Sequence, residues 1–239
     1  MSRLPITACF VSLVVASAAG CSPRNPIPEV EPPRPAFAEN GWPSILAEHD
    51  DYEGTGLEVG DLMLPFHVVN EDGETVPGGL ADQNNNLVDF RQMLGQTLLL
   101  DISSVWCGPC NEAAAESAEL LEAMQEIAPS LIVTVLVQNI QGGPATSNEC
   151  ATWAEDYHAE YPVVADTADE TTRGVWGQPP FPTFWMVAPT GEIFDRFTSV
   201  PAESDVLDAV RFSVEEWGDS FRQLSDESSD DEEDNQDDE

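Results

Sequence analysis

The chain has 239 residues, room for one domain with appendages or two small domains. Asp and Glu number 45 against 8 Lys and Arg, all of the latter arginine, for a formal net charge of −37. Nucleic-acid phosphates and anionic membrane surfaces repel such a polyanion, and no run after residue 19 reaches the ~18 apolar residues of a spanning helix, which excludes a nucleic-acid binder and a polytopic membrane protein.

The two ends do not read as fold. Residues 1–20 have the order of a secretion signal: Arg3 and the start amine, an apolar stretch from Leu4 to Ala16, then Ser17-Ala18-Ala19-Gly20 before Cys21. A Cys after small residues resembles the bacterial lipobox, which implies lipidation of Cys21 as the mature N-terminus. Ala18 stands where that motif usually carries Leu, and plain cleavage after Ala18 is the alternative. Either route exports the protein: lipid-anchored in the cell envelope, facing the periplasm or the exterior, or soluble in the periplasm. Residues 21–40 carry Pro23, Pro26, Pro28, Pro32, Pro33 and Pro35 and form an extended, semi-rigid linker. Residues 225–239 hold ten acids and no apolar residue, a disordered acidic tail. The domain between, 41–224, has 32 acids and 5 arginines, so the tail does not account for the acidity. A Lys-free acidic surface suits high-salt surroundings.

Within that domain the elements follow in order. Leu57 to Asn70, the turn Asn70-Glu71-Asp72-Gly73 and Glu74-Thr75-Val76 predict a hairpin. Val88 to Leu94 is short and amphipathic, and Gly95 stops it. Thr97 to Val105 is a strand. A helix runs from about Cys107 to Ile127, with Ala114, Ala118, Leu121 and Met124 on its apolar face and Glu112, Glu116, Glu119, Glu122 and Glu126 wet. Leu131 to Val137 is a continuous apolar run, as a central strand covered on both faces requires. Ser147 or Asn148 caps a helix to about Tyr157. Val163-Val164 is a short strand, Thr183–Val187 and Glu192–Phe197 form a hairpin, and Val206, Leu207, Val210, Val214 and Trp217 stripe a last helix. The order predicts an α/β fold, a mixed sheet with helices on both faces.

The chemistry lies in Trp106-Cys107-Gly108-Pro109-Cys110. A C-x-x-C is either half a zinc site or a redox dithiol. Zinc needs two further ligands, and Cys150, His49, His67 and His158 offer no second pair with metal-site spacing. Cys107 follows a strand and opens a helix, where free N–H groups and the helix dipole favour a thiolate. Cys110 lies one turn on, within reach for a disulfide. Pro109 suits the first turn, where its missing N–H costs nothing.

The W-C-G-P-C motif between strand and helix resembles the thioredoxin superfamily. Gly60-Asp61, Pro65-Phe66, Asp72-Gly73, Val88 to Gly95 and the strand before Trp106 resemble its TlpA/ResA and AhpC/TSA-like redoxin branch. The likeness covers about residues 57–217. It implies a thioredoxin fold with an N-terminal β-hairpin extension, thiol–disulfide exchange, and a redox-active Cys107–Cys110 disulfide. Phe181-Pro182-Thr183 matches the family's X-cis-Pro-Thr. That implies a cis Pro182, and a Phe181 backbone that pairs with an extended substrate strand beside the disulfide. Trp106, Gly108, Pro109, Phe181 and Thr183 are then expected to shape substrate docking. Asp101 matches the superfamily's buried acid, a proton acceptor for Cys110. The lysine that usually accompanies that acid is missing, so Asp101 pointing outward or bonding locally stands beside this reading. Cys150 reads as a buried, inert thiol.

These residues predict an envelope thiol–disulfide oxidoreductase that reduces protein disulfides. No cofactor and no resident metal are expected. The resemblance implies protein thiol or disulfide substrates and a membrane electron donor of the DsbD/CcdA type. Two alternatives stay open: a peroxiredoxin-like thiol peroxidase, although Ser104-Val105-Trp106 replaces the Thr-x-x approach to its Cys, and a copper or zinc carrier using the C-x-x-C.

Overall fold

The computed structural model describes residues 52–167 and 170–227, with the short strands β1 (Ala36–Phe37) and β2 (Pro43–Ser44). The chain divides into two compact units, Met1–Glu31 and Pro32–Glu239, and the first lies outside the described residues. The signal, Cys21, most of the linker and residues 228–239 of the tail also lie outside them. No helix among the described residues is long and apolar enough to cross a membrane.

Strands β1 and β2 pair antiparallel with each other. Strands β3 (His67–Val69) and β4 (Thr75–Pro77) form the expected hairpin, closed at its turn by Asn70, whose side chain accepts from the Asp72 and Glu74 N–H groups. A second hairpin follows that sequence reasoning missed: β5 (Leu80–Asp82) and β6 (Leu87–Val88). Its strands are too short to show a period. Residues Phe90–Met93 then make one 3₁₀ turn, with a capping box between Asp89 and Gln92.

The core is built on β7 (Thr97–Ser104), α1 (Gly108–Gln125) and β8 (Ser130–Gln138). All of β7 is buried, and β8 is buried up to Val137. Strands with both faces covered need not alternate, which is why apolar residues run together at Leu98-Leu99-Leu100 in β7 and around Thr134 in β8. After β8 come α2 (Ser147–Tyr157), β9 (Val163–Ala165), a π-helical turn at Glu170–Val175, β10 (Thr183–Val187), β11 (Ile193–Phe197) and α3 (Glu203–Glu227). The principal sheet has seven strands in the order β11-β10-β7-β8-β9-β5-β6. Strands β7, β8 and β9 run parallel, joined through α1 and α2, while β10 and β5 lie antiparallel on either side. This is the mixed, helix-flanked sheet expected.

Local details shift. Helix α1 buries Cys110, Ala113, Ala114, Ser117, Leu121 and Met124, so its inner face is rotated toward Ala113 and Ser117 and away from Ala118. Small residues there bring its backbone close to the sheet. Helix α2 is capped by Thr146, not Ser147 or Asn148, through a capping box with Glu149. Helix α3 kinks at Trp217 and runs to Glu227, three residues into the segment read as tail.

Candidate active site

Strand β7 delivers the chain to the site. After Ser104 the backbone turns, with the Cys107 N–H donating to the Ser104 carbonyl at 3.0 Å. Cys107 is the N-cap of α1 in extended conformation, Gly108 and Pro109 occupy the first helical positions, and Cys110 faces inward. Cys107 and Cys110 are joined by a disulfide, with Cα atoms 5.2 Å apart. The Cys110 N–H donates to Cys107 Sγ at 3.2 Å. A helix N-terminus thus points an amide at the Cys107 sulfur, an arrangement that favours a thiolate there. Cys107 is 4% exposed and Cys110 is fully buried, so Cys107 is the sulfur an incoming disulfide can reach.

The loop before β10 completes the site. The Phe181–Pro182 peptide bond is cis. Thr183 ties the loop down by donating its hydroxyl to the Pro180 carbonyl at 2.7 Å. In the antiparallel ladder Thr183 lies opposite Ile102 on β7, so Pro182 falls at the level of Ser103, just before the dithiol. The Phe181 ring meets the Trp106 ring edge to face, with centroids 5.9 Å apart. Trp106 is 49% exposed, and its Nε1–H donates to Gln138 Oε1 at 2.9 Å. Gln138 is a site residue that sequence reasoning missed. It ends an apolar strand and carries no local signal.

Asp101 points inward. It is 3% exposed, and its carboxylate accepts from the Ser103 hydroxyl at 2.7 Å and the Thr134 hydroxyl at 3.1 Å. The outward-pointing half of the alternative is thereby overturned, since residue 101 shares its face with Leu99 beneath α1, while the local-bonding half holds in the bond from Ser103. Burial raises its pKa to about 7, against the lowering effect of the two hydroxyls. Asp101 lines a cavity of about 320 Å³ together with Ala113 and Ser117 of α1, and Ala113 lies one turn past Cys110. The Tyr161 hydroxyl is buried beside Ser117 and Thr134 without meeting hydrogen-bond geometry, and burial pushes its pKa up to about 12. Thr134 was legible in principle, as the polar interruption in Leu131–Val137.

Cys150 is a free, buried thiol on α2. Burial, with Glu149 and Asp82 adding to it, pushes its pKa up, so it stays a thiol at neutral pH. Among the described residues no group of three or more His, Cys, Asp or Glu side chains is placed to hold a metal ion.

No family model matches the chain. The thiol–disulfide oxidoreductase ResA of Bacillus subtilis (strain 168) is 23% identical over 129 residues, covering 54% of this chain and 68% of that protein. Among solved structures, a secreted thiol-disulfide isomerase from Corynebacterium glutamicum superposes with a TM-score of 0.51 at 18% identity, over 68% of this chain and 99% of that one. Peroxidoxin BcpB from Mycobacterium tuberculosis gives 0.50 at 17% identity, over 65% and 97%. The structural likenesses carry the fold. The chain therefore has the fold of these proteins and is similar in sequence to the thiol–disulfide oxidoreductase ResA.

Proposed function

We propose that this thiol–disulfide oxidoreductase works reductively, on protein disulfides outside the cytoplasm. The observation that carries the reading is the Cys107–Cys110 pair at the head of α1, with the Cys110 N–H aimed at the more exposed sulfur. Cys107 thiolate attacks a substrate disulfide, and one substrate sulfur leaves as thiolate and takes a proton from water. The Cys110 thiol then loses its proton to Asp101, and its thiolate attacks Cys107 Sγ. The bond between Cys107 and the substrate breaks, its electron pair leaves with the second substrate sulfur, and that sulfur is protonated in turn. The substrate ends as a dithiol and the 107–110 pair as a disulfide. Trp106, Phe181 and the backbone around Pro182 receive the substrate as an extended segment. Gly108 and Pro109, both exposed, leave the approach to Cys107 open.

In this reading residues 1–20 are a signal, Cys21 carries a lipid, 21–40 hold the domain away from the membrane, and 225–239 are an acidic tail. A membrane protein of the DsbD/CcdA type returns electrons to the pair. The acidic domain favours substrates with basic or uncharged surfaces.

The reduction potential of the pair against glutathione tests the direction, with Cys150→Ser to leave one dithiol. A value near thioredoxin's ~−270 mV supports reduction; one near ~−120 mV reverses the direction of electron flow. Peroxide consumption that survives Cys110→Ser, with negligible disulfide reduction, replaces the reading by a thiol peroxidase.

A further inference from the structure

Among the described residues, both oxygens of the Asp101 carboxylate are occupied, and by side chains alone. The Ser103 hydroxyl donates to Oδ1 and the Thr134 hydroxyl to Oδ2. Asp101 is 3% exposed, and Ser103 and Thr134 are fully buried. Sheet register produces this arrangement. Thr134 lies directly opposite Asp101 in the parallel β7–β8 ladder, and Ser103 is two residues along β7, so all three side chains leave the same face. Among the described residues, the remaining groups facing the carboxyl bring no positive charge. Glu116 and Glu119 of α1 and Glu203 of α3 line the cavity, and the Tyr161 hydroxyl lies beside it. The chain has no lysine to approach from any side.

A buried carboxylate without a cation is expensive to ionise, and neutral hydroxyl donors aimed at its oxygens lower that cost. Neither hydroxyl is needed to fill space: Val has the shape of Thr, and Ala packs where Ser does. We propose that Ser103 and Thr134 are positioning residues for the redox reaction, holding the Asp101 carboxylate and setting how readily it accepts the Cys110 proton. This rests on the reading of Asp101 as that acceptor. The Cys110 Sγ–H bond breaks, the proton moves to an Asp101 oxygen, and the electron pair stays on Cys110 Sγ for attack on Cys107. When Asp101 is already protonated, the step stalls. The two donors keep the carboxylate ionised at lower pH than burial alone would permit.

The experiment uses the full-length protein carrying Cys150→Ser, with thionitrobenzoate as a mixed disulfide on Cys107. Release of the coloured thiolate by Cys110 is followed from pH 5 to 9 in a single turnover. An infrared titration of the buried carboxyl runs in parallel. Thr134→Val and Ser103→Ala are each expected to move the acid limb and the carboxyl titration up by about one pH unit, the effect of losing one hydrogen bond to a charged group. Thr134→Ser is expected to restore the wild-type midpoint. An unmoved midpoint in both deletions, while Asp101→Asn removes the limb, overturns the proposal and leaves Asp101 as acceptor. A limb that survives Asp101→Asn overturns the acceptor reading and the proposal with it. If Thr134→Val does not fold, Ser103→Ala decides alone.

Discussion

Asp101 and Asp166 are both buried acids, 3% and 1% exposed, and the fold uses them in opposite ways. Asp166 follows β9 and accepts from the Thr171 and Thr172 peptide N–H groups and from the Thr172 hydroxyl. It closes the π-helical turn, whose Thr171 hydroxyl in turn joins the His67 backbone at the start of β3. Among the described residues Asp101 accepts only from hydroxyls; it lines a cavity and lies under the helix that carries Cys110. Peptide donors have no alternative once buried, so a carboxylate that serves them is structural. Hydroxyls can rotate, and a carboxylate held by them can exchange a proton without unfolding its surroundings.

The largest expected effect is on stability against pH. Asp101 has its ordinary value of 3.8 in the unfolded chain and about 7 when folded. Between those values the folded state holds a proton that the unfolded state lacks. Stability from this group is therefore full below about pH 4 and is lost as pH rises through 7, a fall of roughly 4 kcal/mol. Urea unfolding of the wild type and Asp101→Asn at pH 4.5 and pH 8 measures it. The Asn variant lacks this fall, and equal differences between the two pH values in both proteins would refute the assignment.

Next comes Asp166→Ala, which leaves two buried N–H groups and a hydroxyl without an acceptor. A loss of about 3 kcal/mol at neutral pH is expected. The folded fraction should keep its rate of disulfide reduction, and a rate loss in that fraction would erase the distinction between the two acids. Asp101→Asn should slow resolution of the mixed disulfide about 100-fold at pH 7, the usual range for a lost proton acceptor. Stopped-flow release from a trapped substrate reads this directly.

Smaller effects mark the surface of the site. Trp106→Ala should raise the KM for a protein substrate several-fold with little change in stability, because the ring is half exposed and its loss opens no core. Gly108→Ala should change stability by less than about 0.5 kcal/mol, since an added Cβ meets nothing within 4 Å. Thermal melts decide the latter, and a larger loss would show that the dithiol loop needs its glycine.

Much of the fold was legible because its central elements are long and obey their periods. The apolar runs of β7 and β8 are readable as buried strands, and α1 by the recurrence of its small and apolar positions. The two-residue β6 and the π-helical turn were not, since pairing and tertiary contacts form them where local propensity is weak. In the site, the dithiol and Phe181-Pro182-Thr183 were visible as motifs. Gln138 and Ser103 were not, because each is an ordinary polar residue whose partner lies across the ladder or two positions along it.

Charge and the position of Cys107 between a strand and a helix are local properties, written along the chain and readable from it. They suffice for a redox dithiol on an acidic domain. The state of Asp101 is of another kind. Its pKa depends on how much water is removed, and on which hydroxyls the β7–β8 register sets against its oxygens. Desolvation and register are products of packing across the whole sheet. A carboxyl six residues before a cysteine therefore shows its character only when β8 lies beside it.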